Sequence, residues 1–199
     1  MNQQLHEHSE STSASLLQRV RLRDPDAWQR FAAIYTPLVY GWARRGGLQE
    51  NDAVDMVQEV FRSIFKNIND YKQLDPQSRF RGWLWAITRN CVRQFYRTRA
   101  RQAQAIGGSD AAIHLGQLPD LFAAEEEQIT AEDQRGVVLR ALDAVKRDFS
   151  AETWSSFWRL AVDGHGAAEI ATDLKLSVAA VRQAKYRVLC RLREELSGF

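Results

Sequence analysis

The segment from Arg79 to Arg101, RFRGWLWAITRNCVRQFYRTRAR, holds seven arginines and five aromatic residues and not one carboxylate. Guanidinium groups at this density cannot be buried and repel one another unless anions arrive, so the segment has to display its charge at a surface. Arg89, Arg93, Arg97 and Arg101 recur every fourth residue and line up as one stripe along a helix. Leu84, Ile87, Cys91 and Phe95 fall on a different face and are expected to pack inward. The planar fork of arginine suits phosphate oxygens, and Trp83, Trp85 and Tyr96 offer flat surfaces on which unstacked bases can lie. Tryptophans at a helix start equally serve as core, and a basic amphipathic helix also suits an anionic membrane or a partner's groove, so this segment alone leaves the partner open.

The charge reverses immediately afterwards. Gln102 to Gln134 carries Asp110, Asp120, Glu125, Glu126, Glu127, Glu132 and Asp133 against no lysine or arginine, and its start, AIGGSDAAIHLGQLPD, has the glycine, serine and proline of a linker. The net charge of +2 conceals this asymmetry. Two domains with an acidic connector follow from it, within the size that 199 residues permit. No run approaches the roughly 20 apolar residues of a membrane span, and MNQQLHEHSESTSAS lacks the basic start and apolar middle of a secretory signal, so a cytoplasmic chain is expected. Cys91 and Cys190 stand far apart in no CxxC spacing, which argues against a disulfide framework or a thiolate zinc site. His6, His8, His114 and His165 are isolated, with no nucleophile motif or metal-ligand spacing, so neither an enzyme nor a metal or cofactor is expected.

Both flanking pieces read as helical, because apolar residues recur at three and four and strand-type alternation is absent. Asp24-Pro25 starts a helix with Trp28, Phe31, Ile34, Tyr35 and Leu38 inward, which Pro37 should kink or interrupt and Gly46-Gly47 should end. In the next helix Asn51 or Asp52 can cap, and Val54, Val57, Phe61, Ile64, Phe65 and Ile68 form the expected buried stripe. Asp52, Asp55, Gln58 and Glu59 lie on its other face, where a solvated surface is the plain reading.

In the C-terminal piece, one helix turns Val138, Leu142 and Val145 inward and a second Trp154, Phe157, Trp158 and Ala161. There follows DGHGAAEIATDLKLSVAAVRQAKYRVLCRLREEL: a short helix from Ala167 to Leu174, a tight turn over Lys175 to Ser177, and a long final helix that Ser177 can cap. Ile170, Leu174, Val178, Val181, Val188, Leu189 and Leu192 are spaced to pack across the turn, the pattern of a helix-turn-helix. Ala179, Ala180, Arg182, Gln183, Lys185 and Tyr186 would face the major groove, with Arg187, Arg191 and Arg193 toward phosphates or solvent. The fold class expected is all-α: a polar tail over 1–13, a helical domain over 14–101, an acidic flexible linker over 102–134 and a helix-turn-helix domain over 135–199.

With these residues in hand, the chain resembles the extracytoplasmic-function (ECF) sigma factors of bacterial RNA polymerase from about Leu16 to Leu196. NDAVDMVQEVFRSIF is similar to the family's D-x-x-D-x-V-Q-E-V-F helix, FRGWLWAITRN to its F-R-x-W-L-x-x-I-x-x-N segment, and EIATDLKLSVAAVRQAKYRVLCRLRE to its terminal helix-turn-helix. The resemblance implies that Asp52, Asp55, Gln58 and Glu59 hold the clamp helices of core polymerase. It implies that Arg79, Arg81, Trp83, Trp85, Arg89, Asn90, Arg93, Tyr96 and Arg97 serve the minus-10 element, where a base is extruded and captured. It assigns Ser177, Ala179, Ala180, Arg182, Gln183, Lys185, Tyr186 and Arg187 to the minus-35 element, and the acidic linker to basic polymerase channels. Core polymerase and promoter DNA are the partners implied; an anti-sigma regulator is compatible with the family but nothing in the sequence marks one. Ala179-Ala180, Ala184 and Ala86 depart from residues common in the family, so promoter preference does not carry over. A helix-turn-helix regulator acting without polymerase would share the C-terminal domain while leaving the DMVQEVF face and the aromatic-basic segment unexplained.

Overall fold

The computed structural model describes residues 15–71, 80–105 and 130–196, and among these it has eight α-helices and no strand. The all-helical class is the one expected. The tail over 1–13 and most of the acidic linker lie outside the described residues. Packing divides the chain into two compact units, Ala32–Val137 in one and the residues up to Phe31 with those from Val138 in the other.

Two short-range devices set the N-terminal helices. Helix α1 (Leu16–Arg21) opens on a capping box, in which Ser15 Oγ accepts from the Gln18 backbone N–H and the Gln18 side chain accepts from that of Ser15. Helix α2 (Pro25–Arg45) places Pro25 where its missing N–H costs nothing, and Asp24 Oδ1 accepts from the backbone N–H groups of Asp26 and Ala27. The Asp24 carboxyl is held below the usual range first by the Arg19 guanidinium, which donates to it, and next by the Ala27 N–H. Pro37 does not interrupt α2, which runs on to Arg45. At its end Gly47 takes φ 85°, the Leu48 N–H bonds the Ala43 carbonyl and the Gly47 N–H bonds that of Arg44, a Schellman closure requiring the left-handed backbone that glycine adopts freely.

In the unit from Ala32 to Val137, Ile34, Tyr35, Leu38, Val39 and Trp42 of α2 are buried, as are Phe80, Leu84, Trp85, Thr88 and Val92 of α4 (Phe80–Ala105). Helix α3 (Glu50–Asn67) packs on α4. Its N-cap is Gln49, without a side-chain cap bond, so Asn51 and Asp52 sit inside the first turn rather than capping it. The buried stripe of α3 is Ala53, Met56, Val57, Val60 and Ile64, whereas Val54 and Phe65 are exposed. Two apolar rows run side by side on this helix, and only the row facing its neighbours is covered. A similar rotation occurs on α4, where Ile87, Cys91 and Phe95 are half-buried while Trp85, Thr88 and Val92 take the interior.

In the other unit, α5 (Ala131–Lys146) buries Ala141 and Val145, and α6 (Ala151–Ala161) buries Ser156 and Phe157, while Trp154 and Trp158 are half-buried and Ala161 is exposed. Val145, Phe157 and Val188 form one core cluster, and Ile170, Ala171 and Val181 a second. The second joins α7 (Ala167–Asp173) to α8 (Val178–Glu195). Between them Lys175 takes φ 54°, with the Leu176 N–H on the Ala171 carbonyl, and Ser177 Oγ accepts from the Ala180 N–H at 3.0 Å. The sharp reversal thus rests on a left-handed residue followed at once by a cap.

Candidate nucleic-acid interface

Helices α3 and α4 enclose a groove of about 910 Å³. Asp52, Asp55, Gln58 and Glu59 stand on its α3 wall, Asn90, Arg93 and Arg97 on its α4 wall, and Met56, Ile87, Cys91 and Phe95 supply its apolar lining. The resemblance assigned the first set to polymerase and the second to DNA; folding brings both to a single groove. Two arginines that the sequence reading did not single out organise it. Arg62 lies 2.5 Å from Glu59 and donates to Gln58 at 3.4 Å, and Arg99 reaches across from α4 to Asp52 at 3.1 Å with its guanidinium over the Phe95 ring. The first contact was foreshadowed by three- and four-residue spacing; the second joins residues 47 apart and has no local signal. Burial pushes the Cys91 thiol up to about 11, with the Glu59 charge adding to it, so this cysteine is an inert part of the lining.

The aromatic candidates of α4 separate by burial. Trp85 is 2% exposed and meets Trp42 edge-on at 5.1 Å, so its ring belongs to the core and presents no face to a base. Tyr96 donates its hydroxyl to the Gly46 carbonyl at 2.8 Å, tying α4 to the end of α2; burial, the largest influence, raises its phenol. Trp83 is half-buried, stacked at a tilt on Tyr71 at 5.2 Å and Phe80 at 5.5 Å. Asn90, Arg97 and Arg101 are exposed, and Arg81, Arg89 and Arg93 half-buried. Arg79 and the loop before α4 lie outside the described residues.

On α8 the exposed positions are Ala179, Arg182, Gln183, Tyr186 and Arg187, with Ala180 and Lys185 half-buried. Ser177 is engaged as the cap of α8, and Arg187 donates to Thr153 Oγ1 at 3.3 Å. Arg191 departs from expectation. It is 14% exposed and bound to Asp148 and Glu195, so it faces the interior of its unit rather than phosphates.

Residues 31–102 match the sigma-70 region 2 family. The chain is 28% identical over 178 residues to the ECF RNA polymerase sigma factor SigE of Mycolicibacterium smegmatis, an alignment covering 86% of this chain and 62% of SigE. It is 32% identical over 145 residues to the RNA polymerase sigma factor CnrH of Cupriavidus metallidurans, covering 70% of each chain. The chain belongs to the ECF sigma factors. The chain spans less than two thirds of SigE's length. In this sigma factor the region 2 match begins at Phe31, one residue before the unit of α3 and α4, and it contains both walls of the groove. No helix among the described residues is long and apolar enough to cross a membrane.

Proposed function

We propose that this sigma factor binds core RNA polymerase in the cytoplasm, recognises promoter DNA and helps open it, without catalysis by its own residues. The observation that carries the reading is the sorting of charge around the α3–α4 groove. Asp52, Asp55 and Glu59 line the α3 wall beside Arg62, leaving exposed carboxylate suited to a cationic partner surface, and Arg93 and Arg97 line the α4 wall, suited to a polyanion. Asp52, Asp55, Gln58 and Glu59 are the polymerase row. Asp55 makes no ion pair among the described residues, so it is available without breaking an internal contact.

For the minus-10 element, Arg81, Arg89, Arg93 and Arg97 meet phosphates, the half-buried ring of Trp83 supports an unstacked base, and exposed Asn90 offers donor and acceptor to its edge. Trp85 and Tyr96 hold α4 in place behind them. For the minus-35 element, Arg182 and Gln183 stand at the start of α8, where side chains reach base edges. Ala179, Ala180, Lys185 and Tyr186 flank them, and Arg187 is placed for the backbone.

Run-off transcription with added core enzyme tests the reading. Promoter-dependent transcripts are expected only when this chain is present, and Asp55→Ala should weaken core association while leaving the melting curve unchanged. A chain that binds duplex DNA but neither associates with core nor starts transcripts would be a conventional regulator instead.

A further inference from the structure

Arg187, the residue of α8 placed above for the DNA backbone, is held by a neutral neighbour. Its Nη2 donates to Thr153 Oγ1 of α6 at 3.3 Å, and it makes no ion pair among the described residues. Arg191, one turn further on, is the contrast: Asp148 and Glu195 take its guanidinium and neutralise it. The Thr153 hydroxyl is itself fixed. Ser150, the N-cap of α6, accepts from the Thr153 backbone N–H at 3.3 Å and donates its own hydroxyl to Thr153 Oγ1 at 3.0 Å. A β-branched side chain has few χ1 choices in a helix, so Oγ1 stays where these bonds put it. The backbones behind the contact are held as well, because Phe157, one turn after Thr153, and Val188, next to Arg187, meet in the core cluster with Val145. All of these residues lie in one compact unit.

A carboxylate in the place of Thr153 would hold the guanidinium more tightly, but it would cancel the charge that a phosphate has to meet. A hydroxyl orients the group and leaves its charge and its other N–H donors for an anion. An arginine with no such restraint has to be ordered when DNA arrives, and the lost side-chain freedom lowers affinity. We propose that Thr153 is a positioning residue for promoter binding: its hydroxyl, set by Ser150, holds the Arg187 side chain ready for the DNA backbone. The inference rests on the minus-35 reading above and adds to it a residue of α6, outside the helix-turn-helix. Because phosphates carry no sequence information, Thr153 tunes affinity by the same factor on every duplex and gives no preference among them.

The test uses the full chain reconstituted with core polymerase, a labelled duplex that this holoenzyme selects from a random library, and fluorescence anisotropy over a range of potassium chloride. Arg187→Ala should weaken binding and lower the slope of log affinity against log salt by about 1, the signature of one lost phosphate contact. Thr153→Val keeps the shape and removes the hydroxyl; it should weaken binding about two- to tenfold, equally on the selected duplex and on one with a scrambled upstream half. Thr153→Ser, which keeps the hydroxyl, should bind like the unaltered chain, and Thr153→Val added to Arg187→Ala should cost nothing further. Core affinity should be the same for all of them, and the melting temperature should move by no more than about 2–4 °C. A Thr153→Val protein that binds as tightly as the original, or more tightly, would show that the contact is incidental or competes with DNA, and would overturn the proposal. So would a loss that persists undiminished beside Arg187→Ala, since Thr153 would then act through another group. In both cases the loss on Arg187→Ala leaves the minus-35 reading standing. If Arg187→Ala changes neither affinity nor salt slope, the backbone role of Arg187 fails and the proposal falls with it. A chain that forms no holoenzyme removes the sigma-factor reading and the proposal together.

Discussion

Replacing Trp85 by leucine separates a base-stacking role from a core role, because the two give opposite patterns. Trp85 is 2% exposed, so nearly its whole side chain, up to about 250 Å², is removed from water. At about 25 cal/mol per Å² that burial is worth about 6 kcal/mol, of which a leucine recovers at most about 3. Loss of the edge-on contact with Trp42 adds about 1 kcal/mol. The variant should therefore lose about 3–4 kcal/mol. At about 4–8 °C per kcal/mol for a unit near 100 residues, its melting temperature falls by roughly 15–30 °C. Circular dichroism melting measures that shift, and transcription from a closed duplex and from a template with a premelted bubble gives the functional comparison. Trp85→Leu should impair both templates alike. Asn90→Ala alters an exposed side chain, should move the melting temperature by no more than about 2–4 °C, and should impair only the closed duplex. A Trp85→Leu protein that melts like the original and fails only on the closed duplex would refute the assignment of this ring to the core.

Lys175 sits at φ 54°, so Lys175→Gly should raise the stability of its unit by about 0.5–1 kcal/mol, read as a higher urea midpoint with unchanged slope. The Cys91 thiol, raised from 9.0 to about 11, should alkylate at pH 8 roughly 100-fold more slowly than an unperturbed cysteine, and Glu59→Gln should speed this only slightly, since burial is the larger cause. Asp148 has a folded pKa below its ordinary 3.8, so its contribution is present above that value and lost as pH falls through the lowered one. Asp148→Asn should accordingly flatten the acid limb of the stability curve below about pH 3.8, and an unchanged limb would place the acid sensitivity elsewhere.

Much of the helical framework was readable from the sequence because it depends on local chemistry. Asp24-Pro25, Gly47 and Ser177 act within four residues of themselves, so each boundary follows from the residue type. The reading failed where two apolar rows share one helix. On α3, Val54 and Phe65 keep the same three-four rhythm as Met56, Val57 and Val60, and rhythm alone does not say which row has a neighbour. The tryptophans posed the same problem. Trp83 and Trp85 are two residues apart, yet one is half-buried and the other is fully buried against Trp42, a residue 43 positions away.

Charge behaved in a similar way. The arginine stripe of α4 and the acidic row of α3 were legible, because like charges spaced by a helical turn share one side of the helix. Their meeting across one groove was not, nor was the capture of Asp52 by Arg99. Arg191 shows the limit most plainly. Beside Arg187 and Arg193 it reads as another phosphate contact, and the presence of Asp148, Arg30 and an enclosed Glu195 makes it an internal pair instead. Helical period, caps and charge stripes are properties of a few consecutive residues, and the chain carries them wherever it folds. Which face is covered, and which charge finds a partner, depends on residues tens to more than a hundred positions away, and only the packed helices bring those together.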